Sequence, residues 1–376
     1  MKGVFFMGLK GQLILLIIFV SLLGFLYEKN DEYKEALEYI NAQGNTNIVL
    51  HDEDYQNYEF FIVSEIHGVN LNYQVKWELL MDLYNKKGVN ALLLELSYTS
   101  GYLLNEYLKS GDEKILEKVQ SFYRGSPFYT LDEFNFYKKL YEYNQTLPVD
   151  KRIQVIGIDI EHSDESVKLY YQFNDDNDAR IIEYIKQNTD IRDEFYKTRY
   201  HSLREKRMYE NILFLKEMYG FDACLVQLGA KHGFLEVTSD NYKSLGYYLD
   251  KKEDSPYRNR VLNIMLFYQD SQYLESTYFK GELYYKINTL TKSYRKILIN
   301  SNSSLTIVKL DYENSPFKNK LIDLHQSRKL KVGATTDYYQ YIIFINNAEA
   351  SLPLDKILIL TKGEILKKIL KLGKHN

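Results

Sequence analysis

Phe60-Phe61-Ile62-Val63-Ser64-Glu65-Ile66-His67-Gly68 is the stretch that decides how this chain is read. Its opening run of branched and aromatic residues, too short for a helix, reads as a strand buried on both faces. The run then stops on a carboxylate, an imidazole and a glycine. Residues 71–85 follow with helical spacing, Leu71, Val75, Leu79 and Leu83 on one side, and Lys86-Lys87-Gly88 closes that helix. The same phrase recurs downstream. Ala91-Leu92-Leu93-Leu94 is a second buried strand and stops at Glu95. Helical patterns over 102–109, 113–122 and 131–144 lead to a third strand over 153–158, which ends at Asp159. A long helical region over 179–219 precedes a fourth strand over 223–228, which ends in Gly229-Ala230-Lys231-His232-Gly233. Apolar runs over 261–268, 305–310 and 341–345 read as further strands. Strands alternating with helices predict an α/β fold, a mixed sheet covered by helices on both faces.

Composition narrows the function classes. Of 376 residues, 45% are hydrophobic and 26% charged, which is globular. Lys and Arg number 48 against 51 Asp and Glu, so no overall positive field exists to hold a polyanion, and a nucleic-acid partner is disfavoured. One cysteine, Cys224, allows neither an internal disulfide nor a cysteine-based zinc site; a metal would be held by His, Asp and Glu.

The N-terminus predicts a compartment. Lys2 and Lys10 precede residues 11–27, which carry no charged side chain, and Glu28, Lys29, Asp31 and Glu32 end the stretch. Positive charge before the apolar run orients it as a single pass with the main domain extracytoplasmic. A helix of this length reaches about 25 Å, near the lower limit for spanning a bilayer. Ser21-Leu22-Leu23-Gly24 is a poor cleavage site, which favours a retained signal anchor. The expected organisation is an anchor over 1–30, a polar, partly helical connector over 31–57, the α/β domain over 58–350 and a basic amphipathic tail over 351–376. That tail sets Ile365, Leu366, Ile369 and Leu370 against Lys367, Lys368, Lys371 and Lys374, a pattern that suits a membrane surface or packing onto the domain.

The chemistry is expected at the strand ends. Glu65 with His67, Glu95, Asp159 and His232 each close an apolar strand. In open α/β sheets the ligand crevice lies outside the carboxyl ends of the strands, so these endings can point into one pocket. A single carboxylate at a strand end is commonly a helix cap or turn residue; several together, two with histidine, favour a site. Gly68 and Gly233, directly after the histidines, allow a sharp turn or a close approach to a ligand. His162, in an acidic loop after Asp159, either lines the same crevice or is solvated.

In their order, these motifs resemble the erythromycin esterase-like proteins and their wider relatives, the ChaN-type haem-binding lipoproteins and the Tiki-type metalloproteases. The likeness runs from Ser64-Glu65-Ile66-His67-Gly68 through Leu93-Leu94-Glu95, Tyr143-Asn144 and Val155-Ile156-Gly157-Ile158-Asp159. It continues in Arg204-Glu205-Lys206-Arg207-Met208-Tyr209-Glu210-Asn211, similar to the esterase family's Arg-Asp-x-x-Met-Ala-x-Asn helix, and in Leu228-Gly229-Ala230-Lys231-His232. The esterase pattern begins Gly-Glu-x-x-His-Gly. Here Ser64 replaces the glycine and one residue separates Glu65 from His67, closer to the ChaN form, and the two side chains can share a face.

His67 is the best general base, because imidazole titrates near neutrality and Glu65 or Glu95 can orient it. His232, from another strand end, would stabilise an oxyanion or protonate the leaving group. No Gly-x-Ser-x-Gly is present, so water is the expected nucleophile. By the resemblance, Arg204 serves a site carboxylate, Glu65 or Glu95, or a substrate oxygen; Asn211, Asp159 and Asn72 complete the supporting set. His67, His232, Glu65 and Glu95 also make a nitrogen and oxygen set suited to Zn or Mn. The esterase branch implies no metal and the Tiki branch implies one. The expected function is therefore a membrane-anchored extracytoplasmic hydrolase that cleaves an ester, lactone or amide in a small molecule or peptide. A metal-dependent peptidase and a non-catalytic haem- or small-ligand-binding protein are the alternatives.

Overall fold

The computed structural model of the protein describes residues 32–174, 178–279, 282–292, 294, 303–325 and 329–355. Residues 11–27 and the basic tail after residue 355 lie outside them. Among the described residues no helix is long and apolar enough to cross a membrane.

The Phe60 run forms β1 (Phe60–Glu65), buried at every position. Seven more strands follow: β2 (Ala91–Ser97), β3 (Gln154–Asp159), β4 (Cys224–Gly229), β5 (Val261–Phe279), β6 (Glu282–Lys292), β7 (Leu305–Lys309) and β8 (Tyr341–Asn346). They make one mixed sheet in the order β3-β2-β4-β1-β5-β8-β7, with β6 on the distal half of β5. From β3 to β8 every neighbouring pair is parallel. β7 and β6 join antiparallel.

Because successive side chains of a strand point to opposite faces, each strand feeds two cores. Phe61, Val63, Leu92, Leu94, Val155 and Leu225 pack with the helices Leu71–Lys87, Tyr98–Ser110 and Leu131–Gln145. Phe60, Ile62, Leu93, Ile156, Ile158 and Val226 pack with the helices Ala179–Thr198, His201–Tyr219 and Leu245–Lys251. The residues expected as a connector join the fold: Ala36 and Ile40, on a helix over 32–43, pack with Met265, Phe267 and Phe344, while Ile48 and Leu50 enter the first core.

Two features of β2 and β3 shape the ligand end. Leu94 pairs with Gly157 but Ser97 with Asp159, so β2 takes three steps where β3 takes two. Such a bulge re-aims a side chain, and here it lies at Glu95 and Leu96. A Cβ at Gly157 would overlap the Ser97 carbonyl oxygen, so only glycine fits opposite the bulge. The outer edge of β3 is covered by amides. Asn105 donates to the Val155 carbonyl at 2.7 Å and accepts from its N–H at 2.9 Å, and Asn144 does the same at Ile153 at 2.8 and 2.9 Å. Two side chains thus satisfy the backbone that a further strand would otherwise seek.

Three expectations change. The helical region over 179–219 is two helices, because Arg199 adopts a left-handed φ of 57° and ends the first. The run over 261–268 is the first half of a 19-residue strand whose second half pairs with β6 as a ribbon. β6 alternates half-exposed residues rather than forming an apolar run, so it carried no comparable signal. Finally, Gly68 does turn the chain, with φ of 79°, but its close neighbour is the Leu274 backbone, and Gly233 makes room for Ser64. The Ser64 hydroxyl, in place of the family's glycine, donates to Asn263 Oδ1 at 2.7 Å.

Candidate active site

The parallel neighbours β3, β2, β4 and β1 end side by side, and residues at or next to their carboxyl ends form one connected row with Arg204 and Glu205 of the helix His201–Tyr219. At the β1 end, Glu65 Oε1 accepts from His67 Nδ1 at 2.9 Å, while Gln227 of β4 donates to Glu65 Oε2. The Nε2 of His67 lies 3.7 Å from Glu95 Oε2, beyond hydrogen-bond length. Glu95 Oε2 accepts instead from the Gly229 N–H at 2.8 Å, and Glu95 Oε1 accepts from Arg204 at 2.6 Å. Arg204 also donates through Nε to Asp159 at 2.9 Å and through a terminal nitrogen to the same carboxylate. His232 Nε2 is 3.3 Å from Glu95 Oε1, and its Nδ1 is 2.6 Å from Glu205.

Glu65, His67, Glu95, His232, Arg204 and Asp159 are therefore brought together. Asn72 and Asn211 sit behind them. Asn72 donates to the Ile66 carbonyl at 2.8 Å and accepts from Tyr268, fixing the backbone between Glu65 and His67. Asn211 donates to the Ile158 carbonyl at 3.0 Å and so holds the end of β3. His162 belongs to the row as well, 2.8 Å from Asp159 and 3.0 Å from the Tyr196 hydroxyl.

The electrostatics follow from this packing. Glu65, Glu95, Asp159 and Glu205 outnumber the cations Arg204 and His232, and excess negative charge favours protonated imidazole. Burial opposes charge on His232, but Glu205 and Glu95 overcome it and push its pKa up to about 9, so it is an imidazolium at neutral pH. Burial likewise opposes charge on His67; the Glu65 hydrogen bond and the Glu95 charge prevail and raise its pKa above the ordinary value. Burial would raise Glu95, yet His232 and Arg204 hold it well below the carboxylate range, and Arg204 and His162 do the same for Asp159.

The two histidines differ in access. His232 is 1% exposed, with both ring nitrogens facing carboxylates, so it orients Glu95 and does not reach a substrate as the sequence had suggested. The His67 side chain is 23% exposed and opens on a narrow cleft. Phe128 forms one wall, its ring centroid 4.6 Å from that of His67, and the buried pair Lys76 and Glu133, 3.5 Å apart, forms another. Gly229 lies beneath: a Cβ there would come within 2.9 Å of His67 Nε2.

A resident metal fits this donor set poorly. The Glu95 oxygens that would ligate it already accept from Arg204 and Gly229, and the Arg204 guanidinium occupies the place between Glu95 and Asp159 where a cation would stand. Among the described residues no group of three or more His, Cys, Asp or Glu is arranged to hold one. Cys224 is buried inside β4.

Glu205, Gln227, Lys76 and Glu133 were not singled out in the sequence. Glu205 had a signal, since it stands at the acidic position of the Arg-Asp-x-x-Met motif. Gln227 is one position too early to count as a strand end. Lys76 and Glu133 sit within helices, and nothing local distinguishes them from surface charge.

No known family profile matches the sequence, and no characterised protein matches it by sequence. Solved structures do match in three dimensions. A Bacillus cereus protein is similar with a TM-score of 0.58 at 15% identity, over 87% of this chain and 99% of its own. A succinoglycan biosynthesis protein follows with 0.56 at 14% identity, over 85% and 98%. A mutant of erythromycin esterase EreC in its open conformation gives 0.57 at 13% identity, over 81% of this chain and 94% of that one. At these identities the likeness establishes architecture, and the chain accordingly has the erythromycin esterase-like fold.

Proposed function

We propose that this chain is a hydrolase of the erythromycin esterase type, which uses water activated by His67 to cleave an ester, lactone or amide in a small molecule or peptide. The observation that carries the reading is the Glu65–His67 pair at the floor of the cavity. Glu65 accepts the Nδ1 proton, which leaves the Nε2 lone pair of neutral His67 directed away from its partner and beyond hydrogen-bond length from Glu95. In the reaction Nε2 takes a proton from water as the water oxygen bonds to the substrate carbonyl carbon. The carbonyl electrons move to oxygen, and Lys76, which lines the same cavity, would meet that charge. Collapse of the adduct expels the alkoxide or amine, which receives the proton from His67. Arg204, Asp159, His232 and Glu205 act as positioning residues that fix Glu95 beside His67.

Residues 11–27 would anchor this domain outside the cytoplasm, a reading supported by the lysines before the stretch and the acids after it. Protease accessibility on spheroplasts tests that placement, with protection of the domain as the refuting outcome.

The activity test is a panel of esters, lactones and peptides with wild type and His67→Ala, with and without chelator. Turnover that resists chelator and disappears in the variant, with the fold retained, is expected. Activity lost with chelator and restored by Zn or Mn would replace this mechanism with a metal-dependent one. Haem binding lost in His67→Ala, without turnover of any substrate, would replace it with a binding function.

A further inference from the structure

Outside the cavity, the first turns of the helix Leu71–Lys87 and the helix Leu131–Gln145 enclose a second, open groove. Trp77, the chain's one tryptophan, forms its floor. Phe136 and Tyr143 pack edgewise against it at 6.3 and 5.7 Å, with interplanar angles of 79° and 83°, so the indole is clamped at its rim. Its face is turned to the groove, where the Lys139 ammonium stands 4.0 Å above it. Tyr73 continues the aromatic wall.

The polar groups around that face alternate in kind. Glu78 and Asp132 accept, Lys139 donates, and the amides of Gln74 and Asn135 do both. Gln74 already shows the pairing such groups make, donating to Glu78 at 2.8 Å. An anionic ligand would meet two carboxylates, and a cationic ligand would meet the like charge of Lys139 beside the indole, whereas a neutral one can displace that side chain without repulsion. A neutral molecule whose hydroxyls each donate and accept matches this ring of partners, and its C–H face matches the indole.

We infer that this groove is a saccharide-binding site, with a pyranose ring stacked on Trp77 in place of the Lys139 ammonium and its hydroxyls bonded to Glu78, Asp132 and Asn135. Lys76 and Glu133, adjacent in sequence to Trp77 and Asp132, face the His67 cavity, so the groove and the cavity share one wall. The site does not depend on the hydrolase reading.

A single tryptophan makes the test direct. The full chain is titrated with neutral hexosides, N-acetylhexosamines and short oligosaccharides while Trp77 fluorescence is recorded, and calorimetry repeats any positive titration. A saturable spectral change with at least one sugar is expected. Glu78→Gln and Asp132→Asn should each weaken binding about ten-fold or more, since each removes a charged hydrogen-bond partner; Glu78→Gln should leave the melting temperature in place, and Asp132→Asn, whose half-buried carboxylate also bonds Ser351 and Leu352, is read beside a melting control. No response to any sugar, or a response left intact in both variants, overturns the assignment. Saturation by tetramethylammonium but not by sugars overturns it too, in favour of an aromatic cation site.

Discussion

Replacing Arg204 with Met should cost the protein about 3 kcal/mol at neutral pH, and the cost should depend on pH in one direction. Arg204 is 11% exposed and bonds two carboxylates that are nearly or wholly inaccessible, Glu95 at 7% and Asp159 at 0%. Breaking a buried ion pair by removing one partner costs about 3–5 kcal/mol, because the other charge stays behind. The lower end applies here, since each carboxylate keeps other partners: Glu95 retains Gly229 and His232, and Asp159 retains His162 and the Ile160 N–H. Both carboxylates have folded pKa values below their unfolded ones. Such groups add stability above the unfolded value near 4 and lose it as pH falls through the folded value. In Arg204→Met the guanidinium no longer depresses them and burial pushes both upward. The difference between wild type and variant should therefore be largest near pH 7 and shrink on acidification below about 4. Urea unfolding of both proteins across this range measures it. A difference under about 1 kcal/mol at neutral pH, the size of an exposed pair, would refute the buried-clamp account, as would one independent of pH.

Four further outcomes follow from the same geometry. His67→Ala should reduce turnover by about 10²–10⁴-fold with the fold retained, as measured by steady-state kinetics beside circular dichroism. Because the base must be neutral and its pKa is raised, kcat/KM should climb with pH to a midpoint above the ordinary histidine value; Glu65→Gln removes a raising partner and should move that midpoint to lower pH. By linkage, the raised His67 pKa gives stability that is complete below the unfolded value and is lost as pH rises through the folded one. Gly229→Ala should displace the His67 ring, which ends 2.9 Å from the new methyl, and lower kcat more than stability, because a side-chain end can yield where a backbone cannot. Asn144→Ala, by contrast, should leave the rate intact and cost about 1–3 kcal/mol in denaturant, since the Ile153 N–H and carbonyl lose their partners in a buried site.

Tyr143-Asn144 and Asn211 matched family motifs, yet the amides of Asn144 and Asn211 serve β3: one satisfies its outer edge and the other holds its end. Asn211 thereby keeps Asp159, and through Arg204 also Glu95, in place. A motif residue can thus matter to a site that it never touches.

The sequence by itself determined the buried parallel strands, since runs such as Phe60 to Val63 and Leu92 to Leu94 have no exposed face to tolerate polar residues, and it placed Glu65 and Asp159 at strand ends and His232 just past one, whereas β2 runs two residues beyond Glu95, where it was expected to stop. It also marked Arg204 as a residue that needed an anion. Tertiary structure alone decided which anion. The insertion of β4 between β2 and β1 brings Gly229 beneath His67, and Arg204 meets Glu95 and Asp159 across 109 and 45 residues of chain. Strand order likewise paired His232 with Glu205, closed the Lys76 and Glu133 wall, and added β6 as a half-exposed ribbon. Local periodicity reports which face of an element is buried; which buried groups become neighbours depends on how the sheet is ordered, and no spacing within one element carries that information.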